Sequence, residues 1–282
     1  MKFVTFTSAA NPNPTPGALV DNEIVDLSGL GYPNILALIE AGSSALDGAR
    51  ATLSTGPRVA FAKAKLLAPI QRPPRIFGIG LNYASHALES QMPVQEVPTV
   101  FMKMTSATIG PNAPIILPKI STKPDYEAEL GVVIGKPGYQ ISAESALDYV
   151  FGYTIVNDVS ARDIQLATSQ WTLGKSFPTF TPTGPTITTA DEVPDPHNLR
   201  ISLTIDGETL QDSNTSDLIF KIPALIAYIS SLTPLEPGDL ISTGTPEGVG
   251  LGRNPKRWLK PNEQVIVTID KLGSLRNRTV AE

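Results

Sequence analysis

Two carboxylates stand two residues apart in the run Asp125-Tyr126-Glu127-Ala128-Glu129-Leu130-Gly131-Val132-Val133-Ile134. Read as a strand, the run turns Glu127 and Glu129 to one face and Ala128, Leu130, Val132 and Ile134 to the other. Carboxylates held side by side repel, and solvent, a shared proton, a basic residue or a cation must relieve them. Taken alone, such a pair is more often a solvated strand face than a metal site. A third acid, Asp158, follows the apolar run Tyr149–Val156 and Asn157, where it reads either as a turn cap or as a third ligand. If the three converge, the donor set is all oxygen, which suits Mg²⁺ or Mn²⁺ and, less well, Ca²⁺. With no cysteine and only two histidines, a zinc site is disfavoured, and disulfides, iron–sulfur clusters and cysteine nucleophiles are excluded.

His86 has Glu89 three residues on, so a helical turn would let the carboxylate orient the imidazole and raise its basicity; an ordinary surface ion pair fits the spacing equally. His197 lies among turn residues and reads as surface. Gly78-Ile79-Gly80 begins like a dinucleotide fingerprint, but Tyr83 stands where the third glycine belongs. Thr243–Gly250 is glycine-rich without a P-loop ending, although its backbone N–H groups could meet an anionic oxygen. No Gly-x-Ser-x-Gly elbow is present, which disfavours a serine hydrolase.

These residues need rigid mounts. Short apolar runs at Ile76–Ile79, Thr99–Met102, Ala128–Ile134, Tyr149–Val156, Leu199–Ile205, Leu240–Thr243 and Gln264–Ile269 read as strands, with Asp206-Gly207 as a hairpin turn. One helix is expected after Asp158, where Ser160-Ala161-Arg162-Asp163 has capping-box spacing, and another near Pro223. Residues 1–68 read as a small α+β unit: a strand at Phe3–Phe6, a hairpin about Asp21-Asn22, and helices near Asn34–Glu40 and Ala45–Leu53. The Pro-rich segment 69–75 reads as a linker to a larger unit over 76–282, with the smaller unit dispensable for its folding. No internal repeat and no strict alternation of strand and long helix is present, which disfavours a doubly wound parallel sheet.

Composition narrows the partners. The 282 residues are 41% apolar and 17% charged, and no apolar run approaches the ~20 residues that span a bilayer. The net charge is −5 without a Lys/Arg block, so the footprint of a nucleic-acid binder is missing. The amino terminus turns polar at Asn11 without the apolar stretch of a secretion signal, and a soluble, cytoplasmic protein is the expectation.

In their order, Gly80–Glu89, Asp125–Leu130, Asn157–Gln165, Trp171–Phe177 and Gly244–Gly250 resemble the fumarylacetoacetate hydrolase family over roughly residues 70–280. The resemblance implies an α+β, β-rich fold: a mixed β-sandwich roll with a small amino-terminal domain. It implies a divalent ion held at Glu127, Glu129 and Asp158, with Lys175 reaching the same site. It places Arg162, Gln165 and Thr245 among substrate contacts, and His86 and Glu89 on a short lid helix. The implied activity is hydrolysis of the C3–C4 bond of a 2,4-dioxo acid of acylpyruvate or fumarylpyruvate type, through a metal-bound enolate. The same site chemistry serves an oxaloacetate decarboxylase or a 2-oxo acid keto–enol tautomerase or isomerase. Relatives of this kind are commonly homodimers. Pro178, where many relatives have Asp, departs from the pattern and is expected to alter the pocket edge.

Overall fold

The computed structural model describes residues 1–282. Its frame is a twelve-stranded mixed sheet. From one edge the main path runs Arg58–Ala60, Glu23–Asp26, Thr15–Val20, Lys2–Ser8, Thr181–Thr189, Val150–Asn157, Ala128–Ile134, Leu240–Ser242, Ile76–Gly80 and Thr99–Lys103. A second, five-stranded sheet orders Glu208–Asn214, Arg200–Ile205, Gln264–Ile269, Gly273–Ala281 and Ile115–Leu117. The turn between Arg200–Ile205 and Glu208–Asn214 has Asp206 at φ 49° and Gly207 at φ 89°, the left-handed geometry that a two-residue hairpin requires.

Period two explains the layering. Along Ala128–Ile134, Leu130, Val132 and Ile134 join Ile201, Leu203, Ile205, Val265 and Val267 in the larger core, between the two sheets. Val133 points the other way, into a second cluster with Phe3, Ile35, Leu38 and Ile39. The central strand is thus buried on both faces, which is why apolar residues fill it on both sides of the pleat, with Glu129 the one polar exception, where a half-exposed strand would alternate.

The amino-terminal strands and helices form where expected. Asn34 caps the helix Ile35–Glu40, its side chain accepting the Ala37 N–H at 2.9 Å. Residues 69–75 contain neither helix nor strand, but the sheet does not stop there: Lys2 and Phe3 pair with Thr188 and Ile187. Thr5 Oγ1 donates to the Pro69 carbonyl at 2.7 Å, and Arg75 grips Asp239 at 3.0 and 2.5 Å.

The helix expected after Asp158 is corrected. Ser160–Ala161 pairs with Pro124–Asp125 as a two-residue strand, and only Arg162–Gln165 is helical. No capping box forms, because Ser160 Oγ donates to the Asp158 carbonyl at 2.9 Å and Asp163 is taken by Ser121 and Thr122 at 2.6 and 2.8 Å. The helix near Pro223 is present as Ile222–Leu232, and His197 is corrected with it. Half-buried, its Nε2 accepts the Ile222 N–H at 3.2 Å at the start of that helix.

Candidate active site

Glu129 lies on the central strand, Glu127 just before it, and Asp158 just after the neighbouring strand Val150–Asn157. Because Ala128 is paired with Asn157, the three acids arrive together, each offering one oxygen within 4.8 Å of the others, all buried. The solvated-face and turn-cap readings are thereby set aside.

Buried cations meet two of the acids. Lys175 Nζ donates to Glu127 at 2.6 Å and Asp158 at 2.8 Å, Arg162 donates to the other Glu127 oxygen at 2.6 Å, and Lys103 Nζ to the other Asp158 oxygen at 2.5 Å. Asp125 holds Arg162 Nε at 2.8 Å and accepts the Gly250 and Leu251 N–H groups at 2.7 and 3.0 Å. Four acids therefore face three cations, and Glu129 is the remainder: only Ser242 Oγ and the Gly244 N–H, at 2.5 and 3.0 Å, bond it, both on one oxygen.

The electrostatics follow the partners. Burial opposes the charge of Glu127, but Lys175 and Arg162 outweigh it and hold the carboxyl at about 2. Burial and the charges of Asp158 and Glu127 push Glu129 well above the usual carboxylate range. Burial lowers Lys103, whereas Asp158 and Glu127 overcome burial to raise Lys175. The donor set fits a hard divalent ion. It is all carboxylate, each oxygen of Glu127 and Asp158 keeps a lone pair beyond its one ammonium or guanidinium contact, and one Glu129 oxygen is unengaged.

A cavity of about 470 Å³ opens onto this cluster, a size suited to a small metabolite. Its lining includes Glu127, Glu129, Lys175, Arg162, Gln165, Thr245, His86 and Glu89, with Phe101 and Trp171 as apolar walls. Asp158, expected with them, is fully buried and does not line it. Arg162 is spent on Asp125, Glu127 and Gln165, and Thr245 Oγ1 accepts from Gln211 Nε2 at 2.8 Å. Pro178 is exposed and lines no part of the cavity, which corrects its expected effect on the pocket edge.

His86 and Glu89 lie on the helix Ala84–Glu89, with Nδ1 and Oε2 3.1 Å apart. Burial opposes ionisation of Glu89, but the His86 contact and the Gly248 N–H, at 3.0 Å, lower it overall. The glycine-rich loop does present its N–H groups to anionic oxygens, and these are the chain's own Glu129, Glu89 and Asp125.

Lys103, Asp125 and Gln211 escaped the sequence reading. Lys103 ends the apolar strand Thr99–Lys103 and Asp125 precedes the acid pair, so each resembles a polar residue that merely stops a strand. Their burial was the missing information.

Comparison with known proteins agrees with the fold. The family profile described as fumarylacetoacetate (FAA) hydrolase C-terminal matches residues 75–280. The chain is 42% identical over 99% of its length to a mitochondrial oxaloacetate tautomerase of Xenopus laevis, covering 90% of that protein. It superposes on the fumarylacetoacetate hydrolase of Exiguobacterium antarcticum with a TM-score of 0.89 at 32% identity, covering 100% of both chains. A maleylpyruvate hydrolase of Sphingobium sp. SYK-6, solved with manganese(II) and pyruvate, gives 0.85 at 30% identity, with 100% of this chain and 99% of that one covered.

Proposed function

Because the chain belongs to the fumarylacetoacetate hydrolase family, we propose that it is a divalent-metal-dependent enzyme of small 2-oxo acids whose reaction is keto–enol tautomerisation of oxaloacetate. The observation that carries the reading is one His–Glu pair, 3.1 Å apart, lining the same cavity as Glu127 and Glu129 of the buried acid cluster. The 42% identity to an oxaloacetate tautomerase supports it at the level of substrate.

Glu127, Glu129 and Asp158 are the residues that would hold Mg²⁺ or Mn²⁺. Such an ion polarises a carbonyl and lowers the cost of removing a proton from the adjacent carbon. The protein supplies the rest. His86 takes the proton from C3 of the oxo acid; the C–H electron pair becomes the C2=C3 double bond as the 2-keto oxygen gains charge, and the same imidazole returns the proton to that oxygen. Glu89 orients the ring through its 3.1 Å contact. Lys175, between Glu127 and Asp158, adds positive charge beside the oxygen that becomes negative. Arg162 fixes the Glu127 carboxylate, while Phe101 and Trp171 present apolar walls to the cavity.

One observation favours a second reading, hydrolysis of an acylpyruvate: the likeness to a maleylpyruvate hydrolase solved with manganese(II) and pyruvate. There His86 would activate a water for attack on the 4-carbonyl. A panel of oxaloacetate, acetylpyruvate and fumarylpyruvate with Mg²⁺, scored for enol–keto exchange, cleavage and loss of CO₂, separates the activities. Exchange without C–C cleavage is expected; predominant cleavage would replace the tautomerase with the hydrolase, and predominant CO₂ release with the decarboxylase.

A further inference from the structure

The helix that carries His86 and Glu89 is six residues long, too short to hold itself in water, so its neighbours must fix it. At its start, Ser85 N–H and Oγ donate to Asp217 Oδ2 at 2.9 and 2.6 Å, and the same hydroxyl meets Glu247. At its end, Glu89 turns one oxygen to His86 and accepts the Gly248 N–H on the other. Glu247 and Gly248 both belong to the glycine-rich loop, which continues to Gly252.

Gly252 lies against Glu89. A methyl group on its Cα would stand 2.5 Å from Glu89 Oε2 and nearer still to Oε1 and Cδ, closer than real carbon contacts allow. No other atom is met as soon, and the Gly252 backbone is outside the left-handed region, so alanine is conformationally permitted. The obstructing atoms are the free end of a flexible side chain. A methyl there displaces the carboxylate and leaves the fold in place.

We infer that Gly252 is a positioning residue: its bare Cα and the Gly248 N–H form a seat that fixes Glu89 against His86 and so aims the imidazole. The inference rests on the proposed role of the His86–Glu89 pair. The loop also ties the seat to the acids, because Gly244 N–H holds Glu129 while Gly250 and Leu251 hold Asp125, which grips the Arg162 bound to Glu127. A single loop therefore sets the spacing between the base and the acid cluster.

The test is a double-mutant cycle on oxaloacetate tautomerisation with Gly252→Ala and Glu89→Ala. Gly252→Ala is expected to lower kcat by about 10–100-fold, since displacements of about 1 Å have effects of that size. KM, Mg²⁺ affinity and melting temperature are expected to stay near wild type. In the Glu89→Ala background the same methyl has nothing to displace, and no further loss is expected. Wild-type kcat in Gly252→Ala, losses that multiply in the double variant, or loss of folded structure would each overturn the inference. A Glu89→Ala single variant at the wild-type rate would instead overturn the underlying role of the pair.

Discussion

Glu129 is the residue on which the acid cluster turns. Glu127 and Asp158 have ammonium or guanidinium partners, whereas Glu129 has a hydroxyl and one backbone N–H, so burial and its acidic neighbours disfavour its charge. Glutamine at this position keeps an oxygen able to accept both bonds and removes the charge. Glu129→Gln is therefore expected to fold with an unchanged or higher metal-free melting temperature, and to lose at least about 100-fold in Mg²⁺ affinity by calorimetric titration. Wild-type affinity would show that the ion does not use this oxygen. Lys175→Met is expected to cost both kcat and stability, because it leaves Glu127 and Asp158 each short of a donor in the interior; breaking such a buried pair costs about 3–5 kcal/mol. Denaturant unfolding of the purified variant checks that loss. Strand period put Glu127 and Glu129 on one face but left a solvated face and a turn cap at Asp158 as open readings, and only the linked motifs of the family resemblance joined the three acids. Lys103 and Asp125 were not legible, since what neutralises a buried acid comes from segments remote in sequence, and spacing carries no trace of it.

Among the elements, the strands were the most legible, because burial on one or two faces leaves a period-two or fully apolar record. Short helices were the least. The capping-box spacing at Ser160 is spent on a two-residue strand and a turn, and the His197 contact to a helix start depends on a tertiary approach that its turn-rich surroundings conceal. That contact predicts a pH effect. Burial, then the Lys221 charge, lower the His197 pKa from 6.5, against a smaller opposing effect of Asp195. Below pH 6.5 the unfolded chain therefore binds the proton before the folded one, and stability falls as pH drops from 6.5 to the lower folded value. Above pH 6.5 the contribution is fully present. His197→Ala is expected to lose about 1 kcal/mol at pH 8 and to show a flatter stability profile below pH 6.5. Urea unfolding at several pH values measures both, and a variant with the wild-type slope would contradict the assignment.

At the scale of the whole molecule, the amino-terminal unit covers one face of the sheet that carries the site. We propose that the Pro-rich segment 69–75 divides the path of the chain while the two sides fold together. A chain beginning at Arg75 would uncover Val133, Phe151, Val156, Ile187 and Leu240 of the shared cluster. Each such side chain costs about 1.5–3 kcal/mol when exposed, so a handful approaches the ~5–15 kcal/mol of a whole domain. The truncated chain is expected to lack a cooperative thermal transition; a folded, Mg²⁺-binding fragment would show two independent units. The family resemblance gave the fold and the acid cluster from linked motifs, but it left three reactions open, because one electron-withdrawing site beside one base serves them all. The metal-dependent tautomerisation is measured as the rate at which metal-stripped wild-type protein interconverts enol and keto oxaloacetate before and after Mg²⁺ is restored, with the protein-free rate at the same Mg²⁺ subtracted. A rise of at least about 100-fold on restoring the ion is predicted from the general scale of electrostatic stabilisation at such sites. A protein-dependent rate that is absent, or the same with and without the ion, would contradict it.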